Sequence, residues 1–211
     1  MENYINSSDI SARGIRRHLE GQERDRLEKQ GCRADCWEDV EISGSTSLDA
    51  IHDVDFAGPV SIGALSRADG SVLEHTRLKN VVLGDNVTIR DVALLEFEPE
   101  APCGFGTEVA VLDESGSRPV FIYPGLSAQT ALLMAREPTW CENYLRPILS
   151  DYFETMSVAP YIGDNARVER CGLLMNVAVG RGVTVEGAES LRNGMIINNS
   201  TANKPLAYVG A

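Results

Sequence analysis

Histidine is the side chain best suited to proton transfer near neutral pH, and this chain of 211 residues has only three, His18, His52 and His75. Acyl transfer to an amine or hydroxyl requires a general base that takes the proton as attack begins. His75 is the best candidate because it directly precedes the first clear sequence repeats, and Glu74 or Glu96 could orient its ring. The alternative is an exposed histidine at the edge of a structural repeat. We expect His18 to be solvated and His52 to lie in a turn.

Two cysteines, Cys32 and Cys36, have a spacing that suggests a metal site, because thiolates are strong zinc ligands. No second Cys or His pair follows in the sequence at ligand spacing, so we predict incidental cysteines and no bound metal. Gly180 and Gly182 flank an arginine, but no lysine and no helical pattern follows, so a phosphate-binding P-loop is not predicted. The sequence leaves cofactor-binding residues unassigned.

The segments that would position His75 and the other candidate residues contain a six-residue repeat. Segment 78–89 recurs at 174–185, with Leu, Asn, Val, Gly, Val and Thr at the same offsets. A third copy of its core covers 162–168, and a looser copy covers 105–111. Repeats of this kind are typical of a parallel β-helix, in which each strand stacks on its counterpart in the next coil. An ordinary sandwich or barrel is the alternative fold.

The residue types in each repeat suit such stacking. The opening apolar residue is expected to face inward, and the following Gly, Asn and Asp tolerate the positive φ of a sharp corner. The fifth residue, Val87, Ala166 or Val183, is small or β-branched because the interior is narrow. We therefore expect all three side chains to be buried.

Four asparagines recur near the predicted corners, and they are Asn80, Asn176, Asn193 and Asn198. Stacked asparagines hydrogen-bond from one strand to the next, so we expect a structural role. A polar ligand groove lined by these amides is the alternative interpretation.

The pattern divides the chain into four regions: 1–40, a polar and partly helical N-terminal cap; 41–126, the first coils; 127–157, a helical insertion; and 158–211, further coils. Within the cap, 11–29 is expected to be helical, with Leu19 and Leu27 as its apolar anchors.

The insertion is predicted to be a helical hairpin of two segments, Ser127–Arg136 and Thr139–Met156, capped by Ser127 and Thr139. Pro147 is expected to kink the second helix. We interpret the following stripe at helical spacing as packing rather than a ligand cradle: Trp140, Tyr144, Leu145, Ile148, Leu149, Tyr152 and Phe153.

A formal net charge of −12 argues against nucleic acid and anionic membrane surfaces as partners, since both would repel the chain. Five scattered cysteines are an odd number, and no apolar run approaches membrane-spanning length. We expect a cytoplasmic protein with free thiols, and Cys171 to be interior.

The repeats over 76–125 and 160–211 resemble the hexapeptide-repeat superfamily of left-handed β-helices. That superfamily includes acyltransferases acting on sugars, amino acids and lipid precursors, and β-helix domains of sugar nucleotidyltransferases. The resemblance implies that the β-helix is left-handed. With the elements predicted above, the expected fold is a left-handed parallel β-helix with an inserted helical hairpin and an N-terminal helical cap. It also implies a homotrimer, and acyl-CoA as the donor.

Segments 27–34 with Trp37, then 109–114, 118–123 and 126–129, look like an uncharacterised bacterial family of long hexapeptide-repeat proteins with a helical insertion at this place. Its function is unassigned. Because its members are longer, the resemblance implies that this chain is an N-terminal fragment.

Two functional hypotheses follow from these observations. The first is a hexapeptide-type transferase that moves an acyl group from acyl-CoA to a sugar or sugar nucleotide, with His75 as the catalytic base. The second is a non-catalytic scaffold, or a ligand-binding or oligomerisation module, with a β-helix domain of a sugar nucleotidyltransferase as a variant.

Overall fold

A computed structural model describes residues 16–99, 101, 103–104, 106–110, 119–123, 126–149, 161–199 and 204–209. The described part is mainly β-structure with three short helices. The strands, in chain order, are β1 Arg16–His18, β2 Arg33–Ala34, β3 Val40–Ser43, β4 Ile51–Ile62, β5 Val72–Leu83, β6 Thr88–Glu96, β7 Glu108–Ala110, β8 Pro119–Phe121, β9 Tyr161–Ile162, β10 Arg167–Val179, β11 Thr184–Glu186, β12 Ser190–Asn199 and β13 Lys204–Val209.

The helices are α1 Gly21–Lys29, α2 Ala128–Arg136 and α3 Pro138–Trp140. A π-helical turn, Cys141–Leu145, continues directly from α3, and helical structure extends to residue 149.

Most strands belong to one eleven-stranded sheet whose main path is β1-β3-β4-β5-β6-β10-β12-β13. The pairs from β3 to β12 along this path are parallel, and β1 and β13 add antiparallel strands at its two ends. The hairpin β7–β8 forms a separate two-stranded sheet.

The sequence repeats lie side by side in register. Leu83 pairs with Ile162, and Ile162 pairs with Val179. Ile89 pairs with Val168, which pairs in turn with Val185. Equivalent apolar residues of successive repeats are therefore neighbours on adjacent strands, about 4.8 Å apart.

The prediction of a left-handed parallel β-helix is wrong. Four parallel strands, β5, β6, β10 and β9, pair in a closed ring, because β9 bonds to both β10 and β5. The described residues thus contain a closed four-stranded parallel barrel and show no left-handed solenoid. The repeat specifies inward apolar residues and sharp bends, and a barrel of long, bent strands satisfies both requirements.

The long strands bend at residues with positive φ, which places polar side chains at corners. His75 lies at such a bend in β5, with φ of 49°, between Asp53 of β4 and Asp91 of β6. Asparagine, aspartate and histidine are the side chains most often found in this conformation apart from glycine, and Arg170 is the unusual member of the column. The whole column of bends consists of Gly31, Asp53, His75, Asp91, Arg170 and Gly187.

The core follows the apolar positions of the repeats. Val87, Ala166 and Val183 are all buried, as predicted, and so is Cys171. Thr76 is an exception among the apolar residues, because it is buried between Val54 and Val92 on the neighbouring strands.

The N-terminal helix is shorter than predicted. It covers only Gly21–Lys29, since Arg16–His18 forms β1 against β3, and residues 11–15 lie outside the described residues. Pairing with β3 overrides the local helical preference. Leu19 and Leu27 are nevertheless buried, as expected of anchors.

In the insertion, Ser127 caps α2 as predicted, because its Oγ accepts a hydrogen bond from the Thr130 amide at 3.1 Å. Thr139 does not cap α3; Glu137 occupies that position and makes no side-chain capping bond. Helical structure continues past Pro147, after the π-helical turn. The predicted segment 150–156 lies outside the described residues.

A second small core joins the insertion to the β7–β8 hairpin. It contains Val120, Phe121, Met134, Ala135, Cys141 and Leu149. The guanidinium of Arg146 lies 4.0 Å above the centre of the Phe121 ring, and Arg146 also pairs with Glu108. One face of the helices is thereby fixed on the hairpin.

Candidate functional site

His75 is held between two carboxylates of neighbouring strands. Its Nε2 lies 3.4 Å from Oδ2 of Asp53, and its Nδ1 lies 3.2 Å from Oδ1 of Asp91. The side chain is 61 % exposed, so solvent and solutes reach it. The three residues meet because each occupies the same bend of adjacent strands, an arrangement that the sequence repeats alone did not reveal.

This arrangement does not suit a general base, because a carboxylate oxygen faces each ring nitrogen. A neutral imidazole offers one N–H donor and one lone pair, whereas an imidazolium donates from both nitrogens. Because a carboxylate faces each nitrogen of His75, a substrate proton would have to displace Asp53 or Asp91 to reach a lone pair.

The carboxylates expected to orient His75 have other partners. Glu74 accepts a hydrogen bond from Nε of Arg90 at 2.9 Å and forms an ion pair with Arg67 at 3.2 Å. Glu96 is paired with Lys79. Glu74 fails because consecutive side chains on a strand point to opposite faces, and Glu96 fails because it lies beside Lys79, farther along β6 than Asp91, which shares the bend with His75.

The other two histidines lie away from this bend. His18 is exposed, and its Nε2 is 3.9 Å from Oε1 of Glu41. The ring of His52 is 3.0 Å from the backbone oxygen of Asp49, within hydrogen-bonding distance, in a local contact at the start of β4. The structure therefore does not bring the three histidines together.

A groove of about 580 Å³ runs across the strand face formed by β3, β4 and β5, and sequence reasoning missed it. Its lining residues are His18, Glu38, Asp39, Glu41, Pro59, Val60, Ser61, Asn80, Val81, Val82 and Pro99. Pro59, Pro99 and the half-buried Val82 supply its accessible apolar surface. Its lining also includes three carboxylates, those of Glu38, Asp39 and Glu41. The only feature of the sequence that could have indicated the groove was the pair Pro59 and Pro99, which are far apart in the chain. Their proximity depends on the register of the strands.

The three carboxylates of the groove differ in their partners. Glu38 accepts a hydrogen bond from Arg24 at 2.8 Å, and Arg24 lowers the pKa of this carboxyl. Glu41 has His18 at 3.9 Å. Asp39 is exposed and has no side-chain hydrogen bond or ion pair within the described part of the chain. Asp39 is thus the carboxylate available to a ligand.

The polar groups at the far side of the groove are already bonded. The Asn80 amide donates to the backbone oxygen of Phe97 at 2.9 Å. The Arg16 guanidinium donates to Oγ of Ser61 and to the backbone oxygen of Leu83. These contacts fix the wall of the groove before any ligand enters.

The asparagines form hydrogen bonds between strands, as predicted. Nδ2 of Asn176 donates to Oε2 of Glu98 at 2.9 Å and to Oδ1 of Asn193 at 3.1 Å. Asn176 is buried and its amide is satisfied, so it offers nothing to a ligand. Of the three asparagines whose side chains the structure describes, only Asn80 lines the groove; the fourth, Asn198, lies outside the described side chains.

All five cysteines are free. Burial raises the pKa of the Cys103 thiol to about 12 and also raises the pKa of Cys32. Cys36 is exposed and its Sγ donates to Glu38 at 3.3 Å. Within the described ranges, no group of three or more His, Cys, Asp or Glu side chains is arranged to hold a metal ion.

Comparison with known protein families identifies a match that covers most of the described chain. The sequence profile of a family described as a domain of unknown function (DUF4954) matches residues 16–92 and 68–210. The chain belongs to this family. The family's description assigns no activity, and no curated protein and no solved structure matches the chain. No helix in the described segments is long and apolar enough to cross a membrane.

Proposed function

We propose that this chain is a non-catalytic module that binds a ligand in the groove across β3, β4 and β5. The observation that carries the proposal is a cleft of about 580 Å³ with an apolar surface and one unpaired carboxylate, Asp39. Ligand sites typically combine such an apolar cleft with a few fixed polar groups. His75, the alternative catalytic centre, supports catalysis less well, because a carboxylate already faces each of its ring nitrogens.

The charge of the groove narrows the class of ligand. Glu38, Asp39 and Glu41 lie along one side, in a chain whose net charge is −12. Such a field attracts cations and repels phosphates. The groove therefore favours a ligand with an apolar body and an amine or quaternary ammonium group, and it disfavours acyl-CoA and sugar nucleotides.

The proposal is tested by thermal shift with four probes: an alkyl trimethylammonium ion, a polyamine, an acyl-CoA and a sugar nucleotide. A ligand that binds only the native state raises the melting temperature with its concentration. We expect a shift with the first two probes, and expect Asp39→Asn to reduce it. Asp69→Asn is the matched control, because Asp69 is exposed and lies outside the groove.

Either of two results would contradict the proposal. One is the absence of any shift with the cationic probes. The other is an equal loss of shift in Asp39→Asn and Asp69→Asn, which would indicate a general charge effect rather than a site.

Acyl transfer is the second candidate, because Asp91 at 3.2 Å from Nδ1 of His75 could hold the ring while a substrate displaces Asp53 from Nε2. Acyl-CoA would then be the donor, and a sugar or sugar nucleotide the acceptor. If so, His75→Ala abolishes turnover and His52→Ala leaves it intact. Equal activity of both variants and the unchanged protein would remove this candidate.

Two further expectations belong with this proposal. A cytoplasmic location is supported by the five free cysteines, since oxidising compartments favour disulfides. The resemblance to hexapeptide-repeat proteins, and the homotrimer that it implies, remain predictions; a mass of three chains in solution would support the trimer and would contradict the two-copy contact proposed below.

A further inference from the structure

The exposed large apolar side chains of the described residues all lie in one short stretch of the helical insertion. They are Leu132, Leu133, Trp140, Tyr144 and Ile148, and we call them the insertion face. Tyr144 and Ile148 are 61 % and 66 % exposed. Single exposed apolar residues are ordinary on a protein surface, but a cluster in one place marks an interaction site.

The insertion face is held in place by buried residues of the same helical stretch. Met134 and Ala135 of α2, and Cys141 of the π-helical turn, are buried against the β7–β8 hairpin. Trp140, Tyr144 and Ile148 follow one another at intervals of four residues and so form one exposed row, which lies beside the buried row that begins at Cys141. The rings of Trp140 and Tyr144 are 6.3 Å apart, which extends the apolar surface between them.

Charge indicates which kind of partner can approach this face. The stretch 126–149 contains two cations, Arg136 and Arg146, and two anions, Glu137 and Glu142, so its charges cancel. The chain as a whole carries −12. Two copies would repel each other at most orientations, but can meet here without a local charge penalty. A strongly basic partner, by contrast, would be drawn to the acidic remainder of the surface.

The size of the insertion face is sufficient for a weak, reversible association. Five half-exposed side chains of this size offer roughly 500 Å² on each copy. Two copies would therefore bury about 1,000 Å² in total, at the low end of specific protein interfaces.

We propose that the insertion face binds the insertion face of a second copy of this chain. The contact is symmetric, because the same apolar row serves on both sides, and each Trp140–Tyr144 pair covers apolar surface of the partner. This inference concerns assembly and does not depend on the groove or its ligand.

The test is sedimentation equilibrium of the full chain over several decades of concentration. We expect the mass to rise from 22.9 kDa toward twice that value. Ile148→Glu should raise the dissociation constant by about tenfold or more, because it places two like charges in an apolar contact. Asn143→Glu is the matched control: it adds the same charge at an exposed position of the same helix, off the apolar row.

A single-chain mass at every concentration would overturn the proposal, and so would an oligomer that Ile148→Glu does not weaken. Tyr144→Glu provides a second disruption, and circular dichroism of both variants establishes that they fold. Equal dissociation by Asn143→Glu would also count against the proposal, since it would show a nonspecific effect of charge.

Discussion

One hydroxyl in the barrel core is left without a partner. Oγ1 of Thr76 is buried and makes no hydrogen bond, and its neighbours on adjacent strands are Val54 and Val92. Thr76 directly follows His75, so the chain passes from an exposed, charged bend to an apolar position in one residue. An unsatisfied buried hydroxyl costs free energy because its bonds to water are lost on folding.

We predict that Thr76→Val raises the free energy of unfolding by about 1 kcal/mol, because it removes the orphan hydroxyl and keeps the branched shape. Thr88→Val is the control: Oγ1 of Thr88 donates to the backbone oxygen of Gly70 at 3.2 Å, so the same change should destabilise the protein. Urea denaturation measures both changes. A loss of stability in both variants would show that Thr76 has a partner.

A second residue-scale prediction concerns pH. The hydrogen bonds from Arg17 lower the pKa of Glu23 to about 2, and Glu23 also accepts from the Glu20 amide at the start of α1. A carboxyl whose pKa is depressed in the folded state stabilises the protein above its unfolded pKa, near 4.3, and loses this contribution as the pH falls toward 2.

Glu23→Gln should therefore lower stability by about 1 kcal/mol at neutral pH, a value reduced for the partial exposure of the pair. The difference between the two proteins should shrink between about pH 4.5 and pH 2. Chemical denaturation at several pH values measures it. A difference that is the same at pH 7 and pH 2.5 would contradict the assignment.

At the scale of elements, close stacking of the strands depends on glycine at the turns between repeats. An added Cβ at Gly163 would lie 2.5 Å from the backbone nitrogen of Arg181 and from the carbonyl carbon of Gly180. Both contacts are with backbone, which cannot move aside without separating the strands. Gly163 thus sets the distance between neighbouring repeats.

Gly163→Ala should lower the free energy of unfolding by about 3 kcal/mol, because overpacking against backbone is not relieved by a side-chain shift. Gly21→Ala is the control, since an added Cβ there has no neighbour within 4 Å and Gly21 begins helix α1. We expect that change to be within about 0.5 kcal/mol of neutral. Thermal unfolding of both variants measures these two changes in stability, and equal melting temperatures would contradict the predicted difference.

The sequence repeats were sufficient to predict parallel, in-register strands and buried small residues, because both depend on local residue types. They did not specify closure into a barrel, which depends on β9 bonding to two strands at once. The charged bend was missed for a similar reason: Asp53, His75 and Asp91 are far apart in the chain, and register alone brings them together. Predicting the groove would likewise have required the register of β3, β4 and β5.

The helical spacing of the stripe in the insertion predicted packing, and the structure shows that only part of the stripe is packed. Leu149 is buried and Leu145 is half-buried, as packing requires, but Trp140, Tyr144 and Ile148 face solvent. Tyr152 and Phe153 lie outside the described residues. Helical spacing reports which residues share a face, and it does not report whether that face has a partner.

At the scale of the molecule, the net charge of −12 opposes contact between copies. We predict that added sodium chloride strengthens self-association, because salt screens the long-range repulsion and leaves the neutral insertion face unaffected. Sedimentation equilibrium at low and high salt measures this effect. Weaker association at high salt would point to an interface built on ion pairs.

The long excursion between β6 and β9 starts and ends at almost the same place. The amide of Phe97 donates a hydrogen bond to the backbone oxygen of Lys79, and Tyr161 pairs with Val82. Both ends of the excursion therefore contact β5, at positions three residues apart. The entropy lost on closing a loop grows only with the logarithm of its length. Lengthening this excursion would therefore cost little conformational entropy, and insertions there should leave the pairing of the barrel strands intact.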